Sequence, residues 1–425
     1  MFLMQKTVAL HTLGCKLNYS ETTSMGRLLE SDGFTKTGFD GVADVYVINT
    51  CSVTDNADKE CRQLVRKIQR RSPEAIVVIT GCYAQLKPKE IAAIPGVDLV
   101  LGAAEKFNIG QHLKGITKQT GAKIHSCDIE DVNLFTSTHS LHERTRIFLK
   151  VQDGCDYSCS FCTIPMARGK SRSDSIQHVL QNVESLASSG VKEIVLTGIN
   201  LGDFGKRHGE ERSGGDDFLS LMKELENKTT VDRYRISSIE PNLLSNEIIE
   251  FVGNSRKFMP HFHIPLQSGS NKILASMRRR YKRELYNEKV GLIKLLMPHC
   301  CIGVDVIVGF PGETDAEFNE TVAFLEELDI SYLHVFTYSE RDNTLAATMD
   351  NKVPVHIRNQ RNKILRNLSY RKMQEFTAKH IGDKRKVLFE SVNSLGMMEG
   401  YSDNYIKVTV PFRKEWENEI VDWII

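Results

Sequence analysis

The sequence predicts an α/β chain in three parts: an N-terminal parallel-sheet α/β domain over residues 1–140, a central open (β/α) partial barrel of the TIM type over 141–375, and a small all-β module over 380–425. Three observations predict it. The first 110 residues alternate short apolar runs with helical patterns, the rhythm of a parallel sheet covered by helices. From Arg146 onward that rhythm returns in six strand-like units, two short of a closed barrel. After Gly382 it gives way to short alternating runs, the period of strands with one buried face.

In the first part the runs Thr7 to Leu10, Val45 to Ile48 and Ala75 to Ile79 read as strands, each with a turn and a helical pattern behind it. Each is closely followed by a cysteine: Cys15 in Leu-Gly-Cys, Cys51 in Asn-Thr-Cys and Cys82 in Thr-Gly-Cys. Ligands of open α/β sheets bind at the carboxyl ends of the strands, so the three thiols are placed to converge there. Three thiolates hold three irons of a four-iron cluster and leave the fourth open. The flat alternative is chance, since cysteine is common in cores. Gly14 and Gly81, directly before two of the cysteines, favour the cluster, because glycine admits a close backbone approach.

Residues 136–146, TSTHSLHERTR, are polar and aperiodic and read as a linker. The barrel strands follow at Ile147 to Val151, Glu193 to Leu196, Tyr234 to Ile239, His261 to Leu266, Gly303 to Val308 and Tyr332 to Phe336. Directly behind the first lies GCDYSCSFC, with Cys155, Cys159 and Cys162 spaced by three and two residues. Loops at the carboxyl ends of barrel strands build active sites, so this loop stands where chemistry is expected. Structural zinc takes four ligands and no fourth lies close in sequence, which leaves zinc or buried free thiols as the bland readings. A three-thiolate cluster instead keeps an open iron, which the amino and carboxylate groups of S-adenosylmethionine fill before an electron breaks the sulfonium bond. A helix from about Pro354 to Lys379 leads out of the barrel, and Lys386 to Phe389 and Tyr405 to Val410 are strands of the last module.

Composition bounds the rest. The 425 residues are 41% hydrophobic and 26% charged with a net charge of +1, an ordinary globular balance for two or three domains. No apolar run reaches the roughly 18 residues of a membrane span, and no secretory signal is evident, so a soluble cytoplasmic protein is expected. Ten cysteines in a reducing compartment point to metal or redox chemistry. Cys61, Cys127, Cys300 and Cys301 lie outside the two trios and read as structural. Three basic runs, Lys59 to Arg71, Arg278 to Arg283 and Lys384 to Lys386, suit a polyanionic partner as well as solvated faces.

These motifs together resemble the methylthiotransferase family of radical S-adenosylmethionine enzymes. TLGCKLN, INTCSVTDNAD, TGCYAQ, GCDYSCSFCTIPMARGKSRS, HIPLQSGS and DVIVGFPGET carry the likeness over nearly the whole chain. HTLGCKLNYSET, with Lys16 behind the cysteine, and TGINLGDFG most resemble the MtaB group, which acts on N6-threonylcarbamoyladenosine next to the anticodon of certain tRNAs. Related enzymes act on isopentenyladenosine in tRNA or on an aspartate of a ribosomal protein. The resemblance implies two 4Fe–4S clusters and S-adenosylmethionine as cofactors. The first trio would hold an auxiliary cluster that carries a methylated sulfur, and the second the cluster that yields a deoxyadenosyl radical. It further implies a terminal TRAM-like module gripping RNA, although this one looks short. Its partners are a tRNA anticodon stem-loop, an electron donor such as flavodoxin or ferredoxin, and a sulfur source, with no membrane.

Cofactor contacts are expected at the strand ends. Phe161 lies within the cysteine loop, and Thr197, Gly198 and Asn200 form the turn after the second barrel strand, where an ordinary βα turn is the alternative. Ser238 and Glu240 end the third strand, Gln267 the fourth, and Asp305 lies on the fifth, where a carboxylate needs a partner, either ligand or arginine. Arg341 follows the sixth and reads equally as a surface ion pair. His263 reads first as a satisfied core residue. Chemistry on a protein side chain and a non-catalytic two-cluster electron carrier stand as rivals to tRNA methylthiotransfer, and the basic runs and glycine-rich strand ends disfavour both.

Overall fold

The computed structural model describes residues 6–51, 55–118, 121–140, 145–206 and 216–425. Part of the expected linker, 141–144, and part of the motif after Cys51, 52–54, lie outside them. The chain divides into two compact units, one of residues 1–141, 148–157 and 162–172, the other of 142–147, 158–161 and 173–425.

The first unit is built on a six-stranded parallel sheet of β1 (Thr7–Thr12), β2 (Thr35–Thr37), β3 (Val45–Thr50), β4 (Ile76–Gly81), β5 (Leu99–Leu101) and β6 (Lys123–His125), in the order β2-β1-β3-β4-β5-β6. β3 is buried at every residue because helices cover both faces. Its Tyr46 and Ile48 join one core with Cys61, Val65 and Ile68 of α2 (Asp55–Arg71), while Val45 and Val47 join the opposite core with Leu29 of α1 (Lys16–Ser31). The three short strands β2, β5 and β6, two of them at the sheet edges, left no apolar run long enough to read in the sequence.

In the second unit Glu193–Thr197 pairs in parallel with Arg233–Ile236. His261–Gln267, Cys301–Val308 and Tyr332–Thr337 form a second parallel ladder. A bridge between Tyr234 and Phe258 and the Ile239 N–H donating to His263 O, 3.2 Å, link the third strand to the chain entering and forming the fourth. Among the described residues no further strand follows Tyr332–Thr337 in its ladder, so the barrel stays open, as six strand units require. Helix Val355–Ala378 leads to a four-stranded antiparallel module of Lys384–Val392, Met397–Ser402, Lys407–Pro411 and Ile420–Ile424.

That module is fastened at the amino ends of the barrel strands. Arg235 donates to Ser402 O at 2.7 Å and Asp403 O at 2.9 Å, and Arg233 to Lys386 O at 2.8 Å. Tyr405 stacks on His261, with centroids 4.1 Å apart, and the Arg146 guanidinium sits 4.0 Å over Tyr401. Fastening it there keeps it away from the carboxyl ends, where parallel strands present their ligands.

Candidate active site

The order of the first sheet reverses between β1 and β3, the switch point at whose carboxyl edge open α/β sheets place their ligands. Cys15 and Cys51 follow these two strands, and Cys82 follows β4 as the first residue of α3 (Cys82–Leu86). Cys15 is the N-cap of α1. Glycine draws the loops together. Gly14 has φ +102°, and a Cβ there would stand 2.6 Å from Cys51 Cβ; Gly81 has φ +95°, and its Cβ would meet Thr50 O at 2.3 Å. These glycines serve loop-to-loop contact, a more specific need than the approach to a cluster expected from sequence. Asn18, one turn into α1, donates to Leu13 O at 2.8 Å and Thr50 O at 3.0 Å, tying the Cys15 and Cys51 loops to each other.

Charge is concentrated in this unit to an unusual degree for buried residues. Arg168 donates to Asn18 Oδ1 at 2.6 Å, to Glu21 Oε1 at 3.1 Å and to Asp153 Oδ1 at 3.0 Å. Glu21 also meets Lys106 at 2.7 Å and Lys150 at 3.1 Å, and Asp153 meets Lys150 at 3.3 Å and Arg172 at 3.5 Å. All six groups are buried. Four cations thus face two carboxylates, and buried charge is stable only when balanced. Burial, with Cys15 and Glu21, pushes the Cys82 thiol up against the opposing pull of Arg168 and Lys106. Three thiolates on an iron-sulfur cluster bring the negative charge this surplus calls for, so the donor set and its surroundings fit such a group.

The second trio occupies one loop of the chain, and each of its sulfurs accepts a hydrogen bond. The donors are Tyr157 N–H to Cys155 at 3.4 Å, Ile164 N–H to Cys162 at 3.4 Å, and Arg279 to Cys159 at 3.1 Å. Such bonds stabilise thiolates and raise the potential of a cluster bound to them. Arg279 also pairs with Glu240, and its side chain is 4% exposed. Arg279→Met is therefore expected to move the reconstituted cluster's potential negative by on the order of tens of millivolts, ~59 mV being tenfold in a one-electron equilibrium. A redox titration followed by electron paramagnetic resonance measures this; an unchanged potential would mean that Arg279 does not act on Cys159.

At the carboxyl ends of the barrel strands several buried polar atoms have no hydrogen-bond partner: Thr197 Oγ1, Gln267 Oε1, Tyr338 OH and Ser339 Oγ. Buried polar atoms are almost always satisfied, and the amino acid and ribose of S-adenosylmethionine supply matching groups. Gly198 and Asn200 form the turn after Thr197, and Asn200 donates to Asp203 at 3.1 Å. The third strand stops at Ile236, so Ser238 and Glu240 stand in the loop beyond it instead of ending it; Ser237 N–H still donates to Leu196 O, after which the loop turns away. Gln267 ends the fourth strand at φ +68°. Asp305 meets neither arginine nor solvent alone but two imidazoles, His263 at 2.8 Å and His334 at 3.4 Å. Burial raises its carboxyl, yet those two partners hold it well below the usual range. Arg341 is buried past the sixth strand, and Phe161 packs with Phe310, Tyr338 and Ile307.

Family models match the chain in two stretches: the uncharacterized protein family UPF0004 over residues 7–102 and the radical SAM superfamily over 149–325. The threonylcarbamoyladenosine tRNA methylthiotransferase MtaB of Bacillus subtilis is 39% identical, over 98% of this chain and 92% of its own length. Its namesake in Aquifex aeolicus is 40% identical, over 93% and 95%. The chain belongs to the MtaB methylthiotransferase family. It is accordingly a radical S-adenosylmethionine enzyme of the methylthiotransferase kind. Among solved structures, the radical S-adenosylmethionine methyltransferase TsrM of Kitasatospora setae shares the fold, with a TM-score of 0.58 at 16% identity, covering 81% of this chain and 77% of that one.

Several residues of this site escaped sequence reading. Asn18 and Glu21 follow Cys15 at three-residue steps, the spacing of one helix face, and that spacing was the available signal. Arg168 and Arg279 carried none, since arginine is common and their partners are distant in sequence. Of the remaining cysteines, Cys61, Cys300 and Cys301 are buried, and burial pushes the Cys61 and Cys301 thiols up to about 12, while Cys127 is only partly buried.

Proposed function

We propose that this enzyme converts C2–H of N6-threonylcarbamoyladenosine, next to the anticodon of tRNA, to C2–SCH3. Cys155, Cys159 and Cys162 would hold the 4Fe–4S cluster that reduces S-adenosylmethionine, and Cys15, Cys51 and Cys82 a second cluster carrying the methylated sulfur. The observation that carries this reading is the pair of three-cysteine sets, one behind the strands of a parallel sheet and one in the loop after the first barrel strand. The names of the relatives in Bacillus and Aquifex support the nucleoside. An adenine C2–H is neither acidic nor bound to a leaving group, so hydrogen abstraction by a deoxyadenosyl radical supplies the path that polar chemistry lacks. The protein's part is to bind and orient: Thr197, Gln267 and the other unsatisfied atoms take the nucleoside cofactor, and the buried cations balance the thiolates.

RNA contact is assigned to basic side chains that remain available. On α2, Gln63, Arg66, Lys67, Arg70 and Arg71 line a surface cavity of about 480 Å³. Lys67 pairs with Asp40 at 2.7 Å and Arg71 donates to Phe39 O at 2.8 Å, leaving Arg66 and Arg70 to meet phosphate. The other runs divide: Arg279 is turned inward and Arg283 pairs with Glu320, while Lys384 pairs with Asp422. We assign residues 380–425 as a TRAM-like RNA-binding module, 1–140 as the auxiliary-cluster domain and 141–375 as the radical domain. A cytoplasmic setting, a flavodoxin- or ferredoxin-like electron donor and a separate sulfur source complete the reading. No helix among the described residues is long and apolar enough to cross a membrane.

Mass spectrometry of tRNA nucleosides from a strain lacking the gene, with and without its return, tests the proposal. The methylthio derivative of threonylcarbamoyladenosine is expected to vanish and reappear while isopentenyl derivatives stay constant. Unchanged methylthio-nucleosides would sink it. Reconstituted protein should carry about eight irons per chain, and a count near four would remove the auxiliary cluster.

A further inference from the structure

The inner face of the second ladder carries a polar triad of two imidazoles and one carboxylate. His263, Asp305 and His334 come from three adjacent parallel strands, with Pro265, Asp305 and His334 in register across the ladder. One carboxylate oxygen, Asp305 Oδ1, meets His263 Nε2 at 2.8 Å and His334 Nδ1 at 3.4 Å. Exposure rises along the row, from 12% at His263 through 22% at Asp305 to 55% at His334. Ile307, two residues beyond Asp305 and so on the same face, packs in a cluster with Phe161 of the cysteine loop. The row therefore leads from the radical loop down the inside of the open barrel. Among the described residues these are also the only His, Cys, Asp and Glu groups close enough to share a single metal ion.

A hydrogen-bonding surface on an inner barrel wall needs a purpose, since an apolar wall would pack better. The geometry points to His334, held with His263 on the shared Asp305 oxygen, as the residue that determines specificity by hydrogen-bonding the polar N6 substituent of the target adenosine. This deepens the reading proposed above and rests on it. A threonylcarbamoyl group offers amide N–H, carbonyl, hydroxyl and carboxylate, whereas an isopentenyl group offers only hydrocarbon. Strand rise places His334 about 10 Å before the carboxyl end of its strand, a depth a long substituent can reach while the adenine stays near the radical loop. A wall built to hydrogen-bond a substituent also rejects one that cannot, because its own polar groups are left unpaired. Asp305 acts here as a positioning residue, fixing the ring that makes the contact.

The test uses cluster-loaded enzyme and two anticodon stem-loop RNAs, one bearing threonylcarbamoyladenosine and one isopentenyladenosine, with methylthio product followed by mass spectrometry. The native enzyme is expected to favour the first RNA by about 100-fold or more in kcat/KM. His334→Phe should lower kcat/KM on it by about tenfold or more, chiefly through KM, and raise it on the isopentenyl RNA. His334→Gln, which keeps a donor and acceptor, should restore part of the preference. Iron content equal to the native enzyme certifies that each variant folds. An unchanged preference in His334→Phe would overturn the inference, as would a preference that the native enzyme loses on chelation and regains with zinc, which would place a metal there instead. Failure of the native enzyme on both RNAs would fell the proposed function itself, and this inference with it.

Discussion

Changing Cys15, Cys51 and Cys82 together to alanine is expected to abolish methylthio product while S-adenosylmethionine is still cleaved to deoxyadenosine. The reason is that the two cysteine sets lie on different loops of the chain. Cys155 and Cys162 accept hydrogen bonds from Tyr157 N–H and Ile164 N–H of their own loop, and Cys159 accepts one from Arg279. Removing the first trio takes away the ligands proposed for the sulfur carrier and leaves the proposed radical generator intact. Iron should fall by about half, from about eight per chain. Deoxyadenosine by chromatography and methylthio-nucleoside by mass spectrometry decide it. Retained methylthio product would show that these thiols do not ligate the sulfur-bearing cluster, and loss of both products would show that the two sets are not separable.

Glu21→Gln should destabilise the first unit by about 3–5 kcal/mol, the usual result of removing one partner from a buried ionic network. Glu21 is fully buried and answers Lys106, Lys150 and Arg168, so the change leaves four buried cations against Asp153 alone. Burial raises the Glu21 carboxyl, but Arg168 and the two lysines outweigh it and hold the group well below the ordinary carboxylate range. A carboxyl depressed by folding contributes stability that is complete above its unfolded value and lost as pH falls toward its folded one. The difference between native and Glu21→Gln proteins should therefore be largest at neutral pH and shrink below about pH 4, near the unfolded value. Denaturant midpoints measured at both pH values test this. Equal midpoints at neutral pH would mean that water reaches the network.

Much of the architecture was legible in the sequence because periodicity reports local structure. The runs at Val45 and Ile76 are strands buried on both faces, and continuous apolar runs announce that. Six barrel strands appeared close to where they were read, and the helix expected from Pro354 spans Val355–Ala378. The edge strands Thr35–Thr37 and Lys123–His125 were illegible because they are short, polar and exposed, so nothing in their composition separates them from loop. The third barrel strand ended early, which left Ser238 and Glu240 in a loop: a β-like pattern continues past the point where its partner strand stops pairing.

The candidate site divides along the same line. Cysteine spacing is a property of the chain, so both trios and the chemistry they imply could be read directly. Asp305 could be read as needing a partner, but the partner could not be chosen, because His263 lies 42 residues away and is brought near only by strand register. The buried charges are of the same kind. Composition records 55 basic and 54 acidic residues and a net charge of +1, with no hint that four cations and two carboxylates gather inside one unit. By itself the sequence determined the elements, the two sets of thiols and the family they resemble, since each depends on neighbours within one turn or one strand. Tertiary structure alone decided which distant charges and polar groups meet, because desolvation and hydrogen bonding depend on distance in space and not along the chain.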